Sequence, residues 1–204
     1  MKTLFRKLEY KELSKINING AILDLGGTKN ADYHKIIKGD NIFKVVNIDD
    51  NYGYDFKFNI ENKFELEDKS FDAVLCLNVL EHIFNYQNVV NESFRVLKDN
   101  GFLFGAVPFL FNIHPCPNDY FRYTEQSLTK IFTNAGFRDI KIIRLGSGLF
   151  SALYQLKFGF YKFDFIRKIG LLEVFLDKIF RKIRPNNYLT EKYMPLGYFF
   201  IAKK

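Results

Sequence analysis

Short apolar runs alternate along the chain with stretches in which apolar residues recur every three or four positions, the rhythm of strands and helices. Residues 21–25, AILDL, form the first apolar run, and 31–38 predict a helix. Residues 43–48 predict a second strand and 56–58 a short third. The run FDAVLCL at 71–77 is apolar almost throughout, as a strand covered on both faces requires. Over 85–98, Val89, Val90, Phe94 and Leu97 fall at helical spacing, and Asn100-Gly101 ends that helix. Residues 102–107 predict a fifth strand. Thr124 is placed to cap a helix that stops at Ala135-Gly136, and 140–145 and 198–202 predict the last two strands.

This order predicts an α/β fold: a Rossmann-like doubly wound sheet, mostly parallel with an antiparallel last strand. One domain is expected across 1–204, with a helical extension at 1–20 and a basic, aromatic helical insertion at 147–190, before the last strand. In that insertion Ile169, Leu172, Leu176, Ile179, Phe180 and Ile183 share one helical face, while Glu173, Lys178, Arg181 and Lys182 lie largely elsewhere.

Composition narrows the class. At 204 residues, 48% hydrophobic and 26% charged, the chain can bury a core and is not a disordered polymer. Its net charge of +7 is uneven: residues 147–184 hold eight basic and three acidic side chains, a net +5 that leaves +2 elsewhere. With so little charge outside that segment there is no extended basic track, which argues against nucleic acid. The insertion itself admits three readings: a lid packed on the domain, an element resting on an anionic membrane surface, or an RNA-binding face, in that order. Cys76 and Cys116 match no metal spacing, and a reduced, cytoplasmic protein is expected, with contact to the inner membrane surface as an option. The charged N-terminal residues do not form a signal peptide, and no run approaches the ~20 apolar residues of a membrane span.

The loop after the first strand reads GGTKNA from Gly26, with Thr28 and Ala31 where a dinucleotide loop would carry glycines. A pyrophosphate is therefore disfavoured. Asp24 at the mouth of that loop would repel phosphate and attract a cation. S-adenosylmethionine, with an ammonium group, a sulfonium centre and no phosphate, suits it. Asp49, at the end of the second predicted strand, is placed to accept hydrogen bonds from ribose hydroxyls.

These residues, together with SFDAVLCLNVLEHI at 70–83, ESFRVLKDNGFLFGAVPF at 92–109 and HPCPNDYFRYT at 114–124, resemble the class I S-adenosylmethionine-dependent methyltransferases with a type 11-like domain. More narrowly they resemble the branch found in bacterial surface-glycan biosynthesis. The resemblance runs from about residue 22 to 146. It implies that Asp24 and Gly26 meet the methionine moiety with Gly27 beside them, Asp49 the ribose, and Asn59 the adenine region, where many relatives have an acid. Asn78 would lie beside the transferring methyl. The implied activity is O-methylation of a sugar or glycan-linked acceptor, with S-adenosylhomocysteine as product. The alternatives are a methyltransferase for another small molecule, or a non-catalytic binding or scaffold protein on the same fold.

Methyl transfer needs alignment of donor and acceptor, and a base if the acceptor is a hydroxyl. His114, in a proline-containing loop after the fifth strand, is the favoured base. His82 is the second candidate, against the simpler role of ordering its turn, and His34 is expected at the surface. Asp119, Tyr120 and Arg122 are candidates for substrate binding. The equal alternative for Asp119 and Arg122 is an internal ion pair that holds their loop closed. The histidines are scattered along the chain, and no metal is expected.

Overall fold

A computed structural model describes residues 2–158, 164–183 and 188–204, without the side chains of 164–171 and 173. Of the insertion residues placed on its helix above, Ile169 and Glu173 lie outside the described side chains. The strands are β1 (Gly20–Leu25), β2 (Asn41–Val46), β3 (Phe71–Leu77), β4 (Leu97–Pro108), β5 (Arg138–Leu145) and β6 (Gly197–Lys203). They form one sheet in the order β2-β1-β3-β4-β6-β5. Neighbours from β2 to β4 pair in parallel, and β6 runs antiparallel to both β4 and β5. The helices are α1 (Leu4–Leu13), α2 (Tyr86–Val96), α3 (Glu125–Asn134), α4 (Leu149–Lys157) and α5 (Asp164–Ile183). The doubly wound sheet with an antiparallel last strand is as expected.

The side-chain alternation of β3 explains its unbroken apolar sequence. Val74 and Cys76 enter a core shared with Val89 and Val90 of α2 and with Leu128 and Phe132 of α3. Ala73, Leu75 and Leu77 enter a second core with Leu4, Phe5 and Leu13 of α1 and Tyr154 of α4. A strand between two layers needs apolar residues on both faces.

Three expected elements differ. Residues 31–38 form a short 3-10 turn, Asp32–Ile36, because Tyr33 and His34 are drawn back to Asp24 and too few residues remain to nucleate an α-helix. Residues 56–58 make a single bridge, Phe56 to Val46, as Asp55 turns the chain onto Val45 for one residue only. The helix over 85–98 ends at Val96, and Leu97 already pairs with Phe71 in β4. A register shift before the next pairing, Ala73 with Phe102, absorbs Asn100 at φ +65°.

Thr124 caps α3 as its sequence predicts: its Oγ1 accepts from Ser127 N–H, and Ser127 Oγ accepts from Thr124 N–H. α4 is capped from elsewhere. Asp177 of α5, 4% exposed, accepts from Phe150 N–H, Ser151 N–H and the Ser147 hydroxyl, and so satisfies donors of the first turn of α4. An acid thus occupies the inward side of α5. Of the stripe read from the sequence, Leu172, Leu176, Ile179, Phe180 and Ile183 are exposed, as is Phe175 beside them, while the Phe180 ring meets Phe150 of α4 edge to face at 6.1 Å. Among the described residues no helix is long and apolar enough to cross a membrane.

Candidate active site

The carboxyl ends of β1, β3 and β4 open beneath α1. Parallel α/β sheets hold ligands at this edge, where connections leave in opposite directions. A cavity of about 550 Å³ lies there, lined among others by Arg6 and Tyr10 of α1, Thr28, Tyr33, Asn78, Phe111 and His114. α1 is fastened over it by Glu9, fully buried, which accepts from Asn78 Nδ2 at 2.8 Å and from Arg6 at 2.8 Å. Phe5 N–H donates to Gln155 Oε1 of α4 at 3.2 Å. Burial raises the Glu9 carboxyl, and Arg6 opposes the shift.

Asp24 sits one residue before the end of β1 and is 1% exposed. Its Oδ2 accepts from the Tyr33 hydroxyl at 2.7 Å and meets His34 Nε2 at 2.7 Å. Burial raises its carboxyl, against the pull of those two partners. His34 is therefore no surface residue. Its ring stacks on Phe43 with centroids 3.9 Å apart, and its side chain is 10% exposed. The loop follows from this packing: Gly26 turns at φ +71°, and a Cβ on Gly27 would lie 2.1 Å from Asp24 Oδ2. Only glycine lets the backbone pass so close to the acid.

Asn78 follows β3 at φ +56°, a left-handed position that asparagine tolerates, and faces the cavity. The other expected cofactor contacts do not line this cavity. Asp49 lies three residues past the end of β2, exposed, and accepts from Asn51 N–H and Nδ2. Asn59 is exposed and accepts from Glu61 N–H in a turn.

The 112–123 loop folds back onto the end of β3. Tyr120 N–H donates to Glu81 O at 2.7 Å and the Tyr123 hydroxyl to Leu80 O at 3.0 Å. Asp119 and Arg122 form the internal ion pair, with Arg122 Nη2 at 2.7 Å from Asp119 Oδ2, and the guanidinium holds Asp119 well below the usual carboxylate range. Asp119 also accepts from His114 N–H at 2.9 Å. Of the three expected substrate contacts, Tyr120 is the exposed one, edge-on to the exposed Phe84 at 5.4 Å.

This fold-back brings together residues that the chain keeps 32 positions apart. The rings of His82 and His114 stand edge to face, centroids 5.0 Å apart. Between them lies Glu81, fully buried, its carboxyl pushed up to about 8 chiefly by burial. Beyond contact with its own backbone N–H, neither oxygen has a hydrogen-bond partner among the described residues. Glu9, Tyr33 and Arg6 carry no motif of their own, and the reading of the stretch 70–83 gives Glu81 no role. The one available signal was an acid inside the apolar run NVLEHI.

Comparison with known proteins agrees with this architecture. The methyltransferase domain family model matches residues 32–105, which hold Asn78, Glu81 and His82 but neither Asp24 nor His114. A S-adenosylmethionine-dependent methyltransferase from Archaeoglobus fulgidus superposes over 98% of this chain and 94% of its own, with a TM-score of 0.62 and 18% identity. A second, from Thermotoga maritima and described as a possible histamine N-methyltransferase, covers 98% of this chain and 91% of its own, with a TM-score of 0.62 and 15% identity. An uncharacterized protein of Methanocaldococcus jannaschii is 51% identical over 41 residues, 20% of this chain. The match takes in 18% of that protein, so this chain spans under a fifth of the curated relative it matches. The chain shares its Rossmann-like fold with S-adenosylmethionine-dependent methyltransferases, and residues 32–105 match the methyltransferase domain model.

Proposed function

We propose that this protein is a S-adenosylmethionine-dependent methyltransferase acting on a hydroxyl of a sugar or glycan-linked acceptor. The observation that carries the reading is the cavity at the carboxyl edge, with Asn78 and His114 on its wall and the buried acid Asp24 behind Tyr33. Its volume lies within the ~300–1,000 Å³ of small-molecule sites. The residues fit the cofactor's chemistry, since an acid and an amide suit an ammonium-bearing ligand, and Lys29, the basic side chain of the loop from Gly26 to Ala31, pairs with Asp55. When bound, the cofactor supplies a methyl group on a sulfonium. Asp24 would hold the ammonium end and Asn78 would lie near the reacting centre. His114 would meet the acceptor oxygen, while the exposed Tyr120–Phe84 pair offers an apolar platform for a sugar ring.

Calorimetry with S-adenosylmethionine and S-adenosylhomocysteine tests the reading. Binding is expected in the wild type and is abolished in Asp24→Ala, whereas His114→Ala keeps cofactor binding and loses turnover. Failure of both ligands to bind would leave the second reading, a non-catalytic protein on this fold. That reading draws on the internal satisfaction of Asp24 by Tyr33 and His34.

We infer further that α5 rests on an anionic membrane surface. Its exposed Phe175, Ile179 and Ile183 lie among exposed Lys178, Arg181 and Lys182, apolar groups to dip and cations to meet headgroups.

A further inference from the structure

We propose that Glu81, His82 and His114 form a binding site for a divalent first-row transition cation such as Zn²⁺. One ligand atom from each lies within 4.8 Å of the other two. His82 Nε2 and His114 Nε2 stand 3.8 and 3.9 Å from Glu81 Oε1.

The hydrogen bonds behind the rings set the direction of their lone pairs. His82 Nδ1 lies 2.6 Å from the Asn118 carbonyl oxygen, and His114 Nδ1 lies 3.0 Å from that of Asn112. A carbonyl oxygen can only accept, so each neutral ring carries its proton on Nδ1 and turns a bare Nε2 toward Glu81. Two imidazoles fixed through Nδ1–H and aimed by Nε2 are the arrangement in which histidines ligate metals. Glu81 supplies the missing half: a buried carboxyl whose two oxygens meet no side-chain partner among the described residues, where burial makes the ionised form costly. A cation between the three groups would give that carboxylate its counter-charge.

Two nitrogen donors and one carboxylate favour Zn²⁺, Co²⁺, Ni²⁺ or Mn²⁺ over Mg²⁺ and Ca²⁺, which prefer all-oxygen shells. Ligand atoms ~2.1 Å from a tetrahedral ion stand roughly 3.4 Å apart, so the two histidine–glutamate distances must close by several tenths of an ångström and the widest pair by up to about 1.4 Å, through side-chain rotation. Three protein ligands leave a position open. Because His114 lines the cavity, an oxygen of a ligand in that cavity can reach it. This last step rests on the methyl-transfer reading: the cation would hold the acceptor hydroxyl, with His114 as its ligand in place of a free base. The cation site itself does not depend on that reading. It also departs from the expectation of no metal, which rested on chain spacing that the 112–123 fold-back removes.

The test uses the full chain, free of any tag and stripped with chelator, titrated with Co²⁺ without cofactor. One equivalent is expected to bind, with visible absorption bands of imidazole-ligated Co²⁺ that Zn²⁺ displaces. His82→Ala, His114→Ala and the near-isosteric Glu81→Gln should each weaken binding by at least about tenfold. Cys116→Ser, in the same loop, should bind as the wild type does. Circular dichroism of each variant separates loss of a ligand from loss of fold. Absence of a stoichiometric Co²⁺ or Zn²⁺ complex overturns the site, as does binding that survives both histidine substitutions or disappears in Cys116→Ser alone. A protein that binds Co²⁺ but not S-adenosylhomocysteine would keep the site and discard the methyl-transfer reading.

Discussion

At the scale of single residues, the site is organised by buried acids whose partners come from unexpected places. Asp24 was legible in the sequence because an acid ends an apolar run just before a glycine turn. Tyr33 and His34 were not, because the periodicity of 31–38 reads as a helix whose side chains would point outward. Their attraction to Asp24 bends the segment into a 3-10 turn instead. Tyr33→Phe removes the 2.7 Å hydrogen bond to Asp24 while keeping the ring. It should lower stability by about 1–2 kcal/mol, read as a lower midpoint in urea unfolding with an unchanged slope. An unaltered midpoint would mean that His34 alone suffices for Asp24.

At the scale of elements, the strands were readable because burial on both faces leaves an apolar signature, and α3 because its cap lies within four residues. The end of α2 was misplaced because Leu97 serves both a helical pattern and the first pairing of β4. The cap of α4 could not be read, since its acid lies 26 or more residues downstream. Asp177→Ala deprives two backbone N–H groups and one hydroxyl of their acceptor. A loss of about 2–3 kcal/mol is expected from three hydrogen bonds to one buried charge, after partial replacement by water. A thermal melt of the variant at wild-type temperature would show that α4 and α5 are not joined through this side chain.

For the whole molecule, the mostly parallel sheet with a reversed last strand followed from the alternation of strands and helices, and β6 takes that reversed place between β4 and β5. The meeting of His82 with His114 did not, because it depends on a loop that returns to β3 through backbone hydrogen bonds no periodicity records. The outward apolar face of α5 gives the molecule a distinct side. The full chain is expected to sediment with vesicles containing anionic lipid, less so at high salt, and not with neutral vesicles. Phe175→Glu with Ile179→Glu should release it without changing its melt, since both positions are exposed. Equal recovery of wild type and double variant in the pellet would assign the face to something other than lipid.

The fastening of α1 over the cavity bears on how the molecule is made. α1 leaves the ribosome before the elements it packs against, yet ten residues form only a marginal helix by themselves. Its anchors, Asn78 and Gln155, are synthesised 69 and 150 positions after Glu9 and Phe5. α1 therefore waits until β3 and α4 have been made before it can close the chamber it covers. Until then that chamber has no roof, and a ligand that needs Arg6 or Tyr10 finds its full site only once α4 has emerged.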